Sequence, residues 1–273
     1  MKQQPIGVFD SGYGGLTVLK EITARLPQYD YVYLGDNARS PYGPRSFETV
    51  YEYTLECVNW LFGQGCSLVV LACNTASAKA LRTIQQKDLP KIDAGKRVLG
   101  VIRPTAEIIG KFTKTGDVGI LATNGTVISN SYPIEIEKFY PGVRVYQEAC
   151  PMWVSLVENN EYKSPGADYF IKKNIDELLG KSGKIDTILL ACTHYPLLID
   201  KIRENVPAAV TVLSQGEIVA ASLQNYLSRH QEIEAKCSKN GHISFYTTDS
   251  TEDFDGHATV FYGKPVKSLH LSL

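Results

Sequence analysis

With 273 residues, 44% of them hydrophobic, the chain has material for one large domain or two ordinary ones around a buried core. Its 28 Lys and Arg against 29 Asp and Glu leave a formal charge of -1, which offers no general attraction to phosphate backbones or anionic lipid, so neither nucleic acid nor membrane is an expected partner. No apolar run reaches bilayer-spanning length and no secretory signal pattern precedes the first Gly-rich loop, so a cytoplasmic protein is expected, with Cys57, Cys66, Cys73, Cys150, Cys192 and Cys237 as reduced thiols.

In chain order, β-branched runs at Ile6–Phe9, Tyr31–Leu34, Leu68–Ala72, Val98–Val101, Val118–Ala122, Val143–Tyr146, Ile185–Ala191, Val210–Leu213 and Ile243–Tyr246 alternate with helical patterns. That alternation predicts α/β layering with mostly parallel sheets. Phe47, Val50, Tyr51, Thr54, Leu55, Val58, Leu61 and Phe62 recur at helical spacing, with Gly63 as the expected C-cap. A further helix is expected from about Glu217 to Arg229, and the polar stretch Glu234–Gly241 reads as an exposed loop.

The segments VVLACNTASAKAL at 69–81 and ILLACTHYPLLID at 188–200 share one design: an apolar strand, Ala-Cys, a Thr within two residues, then a predicted helix. Their cysteines are 192 − 73 = 119 residues apart, and GVFDSGYGG at 7–15 recurs as GILATNGTV at 119–127 with an offset of 119 − 7 = 112. Two strand-loop units repeating in order predict two pseudo-symmetric α/β lobes facing across a cleft. The expected division is residues 1–98 plus 209–273 for the first lobe and 99–208 for the second.

In open α/β sheets, ligands collect at the carboxyl ends of strands, where helix N-termini present free N–H groups. Cys73 and Cys192 both fall there, and a helix N-terminus is expected to draw a thiol below its usual pKa of about 8.5. Either cysteine alone reads first as a small buried apolar residue; two in mirrored contexts reverse that reading and point to chemistry. Asn74, Thr75 and Thr193 suit helix capping and ligand hydrogen bonds alike, and His194 stands next to the second Cys-Thr with a titration range fit for moving a proton. Asp10-Ser11-Gly12-Tyr13-Gly14-Gly15 follows the first strand as a backbone cradle for a carboxylate, though its spacing fits neither a dinucleotide fingerprint nor a P-loop. Gly35 to Gly43, holding Asp36 and Tyr42, is a turn-rich segment at the end of the second strand. None of the cysteine gaps makes a CxxC pair, so no metal site is expected.

Together FDSGYGGL, GDNARSPYG, ACNTASA and ACTHYPLL, in this order and spacing, resemble the glutamate racemases of the aspartate/glutamate racemase superfamily over essentially the whole chain. The resemblance implies two α/β lobes with the active site between them, no cofactor, a homodimer, and interconversion of L- and D-glutamate for peptidoglycan synthesis in a bacterial cytoplasm. By position it implies Cys73 and Cys192 as catalytic acid/bases, with Asp10 and His194 assisting. It implies Asp10, Ser11, Tyr42, Gly43, Asn74, Thr75, Thr193 and His194 as substrate contacts, and Asp36 and Glu158 as second-tier acidic positions. Ala191 departs from the glycine common before Cys-Thr-His, and Asn159-Asn160 departs from the usual continuation after Glu158. Three other uses of the architecture stay open: racemisation of aspartate or another small acid, a cysteine-nucleophile hydrolase or lyase, and a solute-binding module without reactive thiols.

Overall fold

A computed structural model describes residues 4–273. Ten strands form two wholly parallel sheets. The strands are β1 (Ile6–Asp10), β2 (Tyr31–Gly35), β3 (Leu68–Leu71), β4 (Arg97–Gly100), β5 (Asp117–Ala122), β6 (Arg144–Ala149), β7 (Thr187–Ala191), β8 (Thr211–Leu213), β9 (Ile243–Thr247) and β10 (Ser268–His270). The first sheet runs β10-β9-β2-β1-β3-β4 and the second β6-β5-β7-β8. The order β2-β1-β3-β4 therefore reappears as β6-β5-β7-β8, the topology that the sequence repeat requires, and β9 and β10 extend the first sheet beyond β2.

The central strands β1, β2, β3, β5 and β7 are buried at every position, because helices cover both faces. Along β1, Ile6 and Val8 point into one core and Phe9 into another. Each fully buried side chain of this size contributes about 1.5–3 kcal/mol relative to exposure. The helix Phe47–Gly63 starts at Ser46, whose Oγ accepts from the Thr49 N–H at 3.1 Å, and it buries Val50, Thr54, Val58 and Leu61. Gly63 is its last helical residue rather than its cap, a role that falls to Gln64, whose N–H bonds back into the last turn. Among the described residues no helix is long and apolar enough to cross a membrane.

Sheet pairing moves the expected lobe boundaries. Strand β4 pairs with β3 as far as Gly100, so a cut at 98 would split a strand of the first sheet. Strand β8 pairs with β7, so Thr211–Leu213 belong with the second sheet and not with the returning tail. The chain crosses between lobes just after residues 100 and 213, because strand hydrogen bonds, not the sequence repeat, decide membership. The returning helix Gly216–Arg229 packs on the helix Leu16–Arg25 of the first lobe. The segment Glu234–Gly241 is exposed along most of its length but pinned: Cys237 is buried, and the Asp30 carboxylate accepts from the N–H groups of Asn240 and His242 at 3.1 and 2.9 Å. Strand β10 was not expected, since Ser-Leu-His is too short and too polar to carry a pattern.

Candidate active site

Strands β3 and β7 occupy equivalent places in the two sheets, and each delivers a cysteine at its carboxyl end. Cys73 is the N-cap of the short helix Asn74–Lys79, its sulfur accepting from the Ala76 N–H at 3.4 Å. Cys192 follows β7 directly and leads into the expected helix, which opens with a 3-10 turn, Tyr195–Leu198, and continues as the α-helix Ile199–Asn205; Pro196 in its first turn lacks an N–H. Both thiols line one buried cavity of about 20 Å³ between the lobes. Ser11, Tyr42, Gly43, Asn74, Thr75, Thr193 and His194 line it with them, and Ser40, Pro41, Thr123 and Val154 complete the wall. A space of this size holds about one water molecule.

The two sulfurs sit in different fields. Burial pushes the Cys73 thiol up to about 12, and the nearby Asp10 carboxyl adds to the shift. The Ser11 hydroxyl, 3.4 Å from the sulfur, and the Ala76 N–H only partly offset it. The expected lowering at a helix N-terminus is not what the site produces: desolvation by burial outweighs the Ala76 N–H that the six-residue helix offers. Around Cys192 the neighbour is His194, whose Nδ1 lies 3.9 Å from the sulfur and whose Nε2 lies 3.0 Å from Glu158 Oε1. Burial works against the imidazolium, but these two contacts prevail and raise His194 to about 10. Neither Lys nor Arg lines the cavity, so His194 is its cation. Asp10 is fully buried beneath the first loop, with Oδ2 accepting from the Gly12 N–H at 3.0 Å; burial raises its pKa, and the charge of His194 and the N–H groups of Gly15 and Gly12 moderate the rise.

Several expected residues act at one remove. The Tyr42 hydroxyl donates to Asp36, whose carboxylate also accepts from Arg39 Nε at 2.7 Å and Thr248 Oγ1 at 2.9 Å. Asp36 therefore braces the loop that brings Gly43 to the cavity. The Asn74 carboxamide is wholly engaged, with Oδ1 accepting from the Tyr132 hydroxyl at 2.6 Å and Nδ2 donating to Gln215 Oε1 at 2.7 Å. Across the cleft, Thr75 Oγ1 meets Thr123 Oγ1 at 2.9 Å, and the Thr17 hydroxyl reaches the Thr193 carbonyl at 3.0 Å. Gly14 is needed for close approach: a Cβ there would overlap Thr193 Oγ1 and the His194 ring. Glu158, in doubt from its neighbours in sequence, ends the helix Trp153–Glu158 within reach of His194.

The sequence reading missed Thr123, although the repeat pointed to it: 123 − 11 = 112 makes it the counterpart of Ser11. It also missed the late helix Thr251–Tyr262, whose Phe261 packs edge-on against His194 with ring centroids 5.4 Å apart. Its His257 stacks on Tyr13 and places Nε2 3.1 Å from the Glu158 carbonyl. A larger cleft of about 650 Å³ lies elsewhere, walled by Leu81, Arg103, Glu135 and Tyr226 among others, and no cysteine lines it. Among the described residues no group of three or more His, Cys, Asp or Glu side chains is placed to hold a metal ion.

Residues 7–223 match the family model described as Asp/Glu/Hydantoin racemase. A glutamate racemase of Listeria innocua is 41% identical over 273 residues, covering 99% of each chain. Among solved structures, the glutamate racemase isoform RacE1 of Bacillus anthracis superposes with a TM-score of 0.90 at 35% identity, covering 100% of this chain and 99% of that one. The glutamate racemase of Francisella tularensis in complex with D-glutamate gives 0.86 at 29% identity, covering 100% and 98%. Two parallel sheets with mirrored cysteine loops, matched over the full length in sequence and in space, place this chain in the Asp/Glu/Hydantoin racemase family.

Proposed function

We propose that this protein interconverts L- and D-glutamate without a cofactor, by α-proton transfer between Cys73 and Cys192. The observation that carries this reading is that two thiols from the repeated loops of opposite lobes line a single cavity. Inverting a carbon needs one base on each face, and a site with one essential sulfur has no use for the second. One sulfur, as thiolate, takes the α-proton; the electron pair is held by the α-carbon and its carboxylate; the opposite S–H delivers its proton to the other face. The charges on the sulfurs are then exchanged, and the reverse reaction starts from that state.

The surroundings suit these roles. Burial pushes the Cys73 thiol up, which suits it to give a proton, and His194 stands beside Cys192 with Nδ1 3.9 Å from the sulfur. Fixed donors stabilise the developing carbanion in a site closed to water. Ser11, Thr75 and Thr193 offer hydroxyls to the substrate carboxylates, while Tyr42, Gly43 and Asn74 act through backbone N–H groups, because the side chains of Tyr42 and Asn74 are engaged elsewhere. Asp10 and His194 assist the sulfur nearer each, with Glu158 holding His194 and Asp36 holding Tyr42. An amino acid cannot enter about 20 Å³, so the lobes part along the Thr75–Thr123 and Thr17–Thr193 contacts to admit it. Full-length similarity to glutamate racemases favours glutamate over aspartate. A role in supplying D-glutamate for peptidoglycan, a cytoplasmic site and a homodimer complete the proposal.

Incubation with L-glutamate in deuterated water tests it: deuterium enters the α-position as D-glutamate appears, and aspartate run in parallel exchanges far more slowly. Cys73→Ala and Cys192→Ala each abolish racemisation. Normal turnover in either variant overturns the two-thiol reading, and faster exchange of aspartate overturns the substrate.

A further inference from the structure

Behind the Cys73 loop lies a closed ring of hydrogen bonds that ties both crossings between the lobes to the residue next to that cysteine. Gln215, at the return crossing, receives the Asn74 Nδ2–H on its Oε1 at 2.7 Å. Its Nε2 donates to the Tyr132 hydroxyl at 2.6 Å and faces the Val101 carbonyl, at the outward crossing, at 3.2 Å and Thr105 Oγ1 at 3.1 Å. Tyr132, on the helix Ser131–Phe139 of the second lobe, donates to Asn74 Oδ1 at 2.6 Å. Asn74, Tyr132 and Gln215 are all buried, and each gives one proton to the ring and accepts one.

The direction of the ring is fixed from one end. A backbone carbonyl only accepts, so Val101 obliges Gln215 to turn its NH₂ inward and its Oε1 toward Asn74. Asn74 must then present its NH₂ to Gln215 and its oxygen to Tyr132. Flipping either amide sets oxygen against oxygen in a buried site, where an unmatched polar group costs about 1–3 kcal/mol. The carboxamide next to Cys73 thus has one orientation, referred to the second lobe and both crossings. No equivalent contact is recorded for Thr193 beside Cys192, whose only polar tie across the cleft among the described residues is its carbonyl to Thr17.

We propose that Gln215 is a positioning residue for proton transfer at Cys73: through Asn74 it sets where that sulfur stands relative to the second lobe and its Cys192. This rests on the two-thiol reading above. Because misplacement by about 1 Å can cost up to 100-fold in rate, loss of the ring slows transfer at one sulfur and spares the other.

The two sulfurs are read separately by the primary isotope effects of α-deuterated L- and D-glutamate, since a different sulfur removes the hydrogen in each direction. Gln215→Leu is expected to lower kcat about tenfold, with the isotope effect growing for one enantiomer and shrinking for the other. Tyr132→Phe keeps the bulk and removes one donor; it is expected to show the same asymmetry with about a threefold loss, and it decides the matter if Gln215→Leu does not fold. The double variant loses no more than Gln215→Leu alone. Isotope effects unchanged for both enantiomers, with Cys73→Ala inactive, overturn the positioning role alone; normal turnover in Cys73→Ala overturns the reading beneath it.

Discussion

The two cysteine loops follow equivalent strands, β3 and β7, at the same place in the order of their sheets, yet they are electrically unlike. Cys73 is surrounded by hydroxyls, amides and a buried carboxyl whose pKa is itself raised, whereas Cys192 looks onto a histidine locked to a glutamate. The repeat supplied the symmetry that a two-sided reaction needs; single side chains then broke it. With 75 + 119 = 194, Thr75 is the repeat counterpart of His194, so one substitution class accounts for much of the difference. Equivalent backbone positions thus carry unlike surroundings, a hydroxyl beside one sulfur and an imidazole beside the other.

Removing the source of the difference is expected to have the largest effect. His194→Ala takes the cation from the cavity and lowers kcat/KM by about 100- to 1000-fold, in the range for loss of a positioned proton-transfer group. A loss below tenfold, measured with either enantiomer, breaks the comparison by making the two loops equivalent. Gly14→Ala sets a methyl where the second loop closes, and a loss of 10- to 100-fold is expected on the same order of geometric penalty. Unchanged turnover would show that the lobes need not approach so closely.

Glu158→Gln preserves an acceptor for His194 but removes its charge, so the His194 pKa falls from about 10 and the alkaline limb of kcat/KM moves to lower pH. A pH profile with the limb in place would mean that Glu158 orients the ring without charging it. Ser11→Ala, by contrast, removes one neutral hydroxyl from Cys73, and a severalfold loss of kcat without a shifted limb is expected.

Stability sharpens the same contrast. His194 is raised from 6.5 to about 10 on folding, so its contribution is complete below about pH 6.5 and is lost as pH rises through 10. Asp186, held down to about 2 chiefly by hydrogen bonds from Thr113, Thr115 and Lys114 that outweigh burial, contributes above about pH 3.8 and loses that contribution as pH falls toward 2. Denaturant titrations across pH are expected to show both limbs, and Glu158→Gln to flatten only the alkaline one.

Strand positions were legible because parallel strands buried on both faces are written as largely apolar runs, as in LVVL and TILLA, whereas strand order came only from the structure. Both cysteines were legible through the 119-residue offset. What escaped was set by contacts between distant segments: Gln215 and Tyr132 look like an ordinary helix-capping residue and an ordinary core aromatic until they meet Asn74. The Cys73 pKa escaped for a related reason, since local sequence shows the helix that lowers it and not the packing that raises it. Strand β4 and strand β8 shifted the lobe boundaries because a repeat marks ancestry, while pairing marks the physical unit.

Phe261 packs on His194 although the first comes from the chain's late helix and the second from the heart of the other lobe. During synthesis both thiols therefore leave the ribosome well before the wall that steadies the histidine beside one of them. The surroundings of His194 are complete only when the closing helix docks.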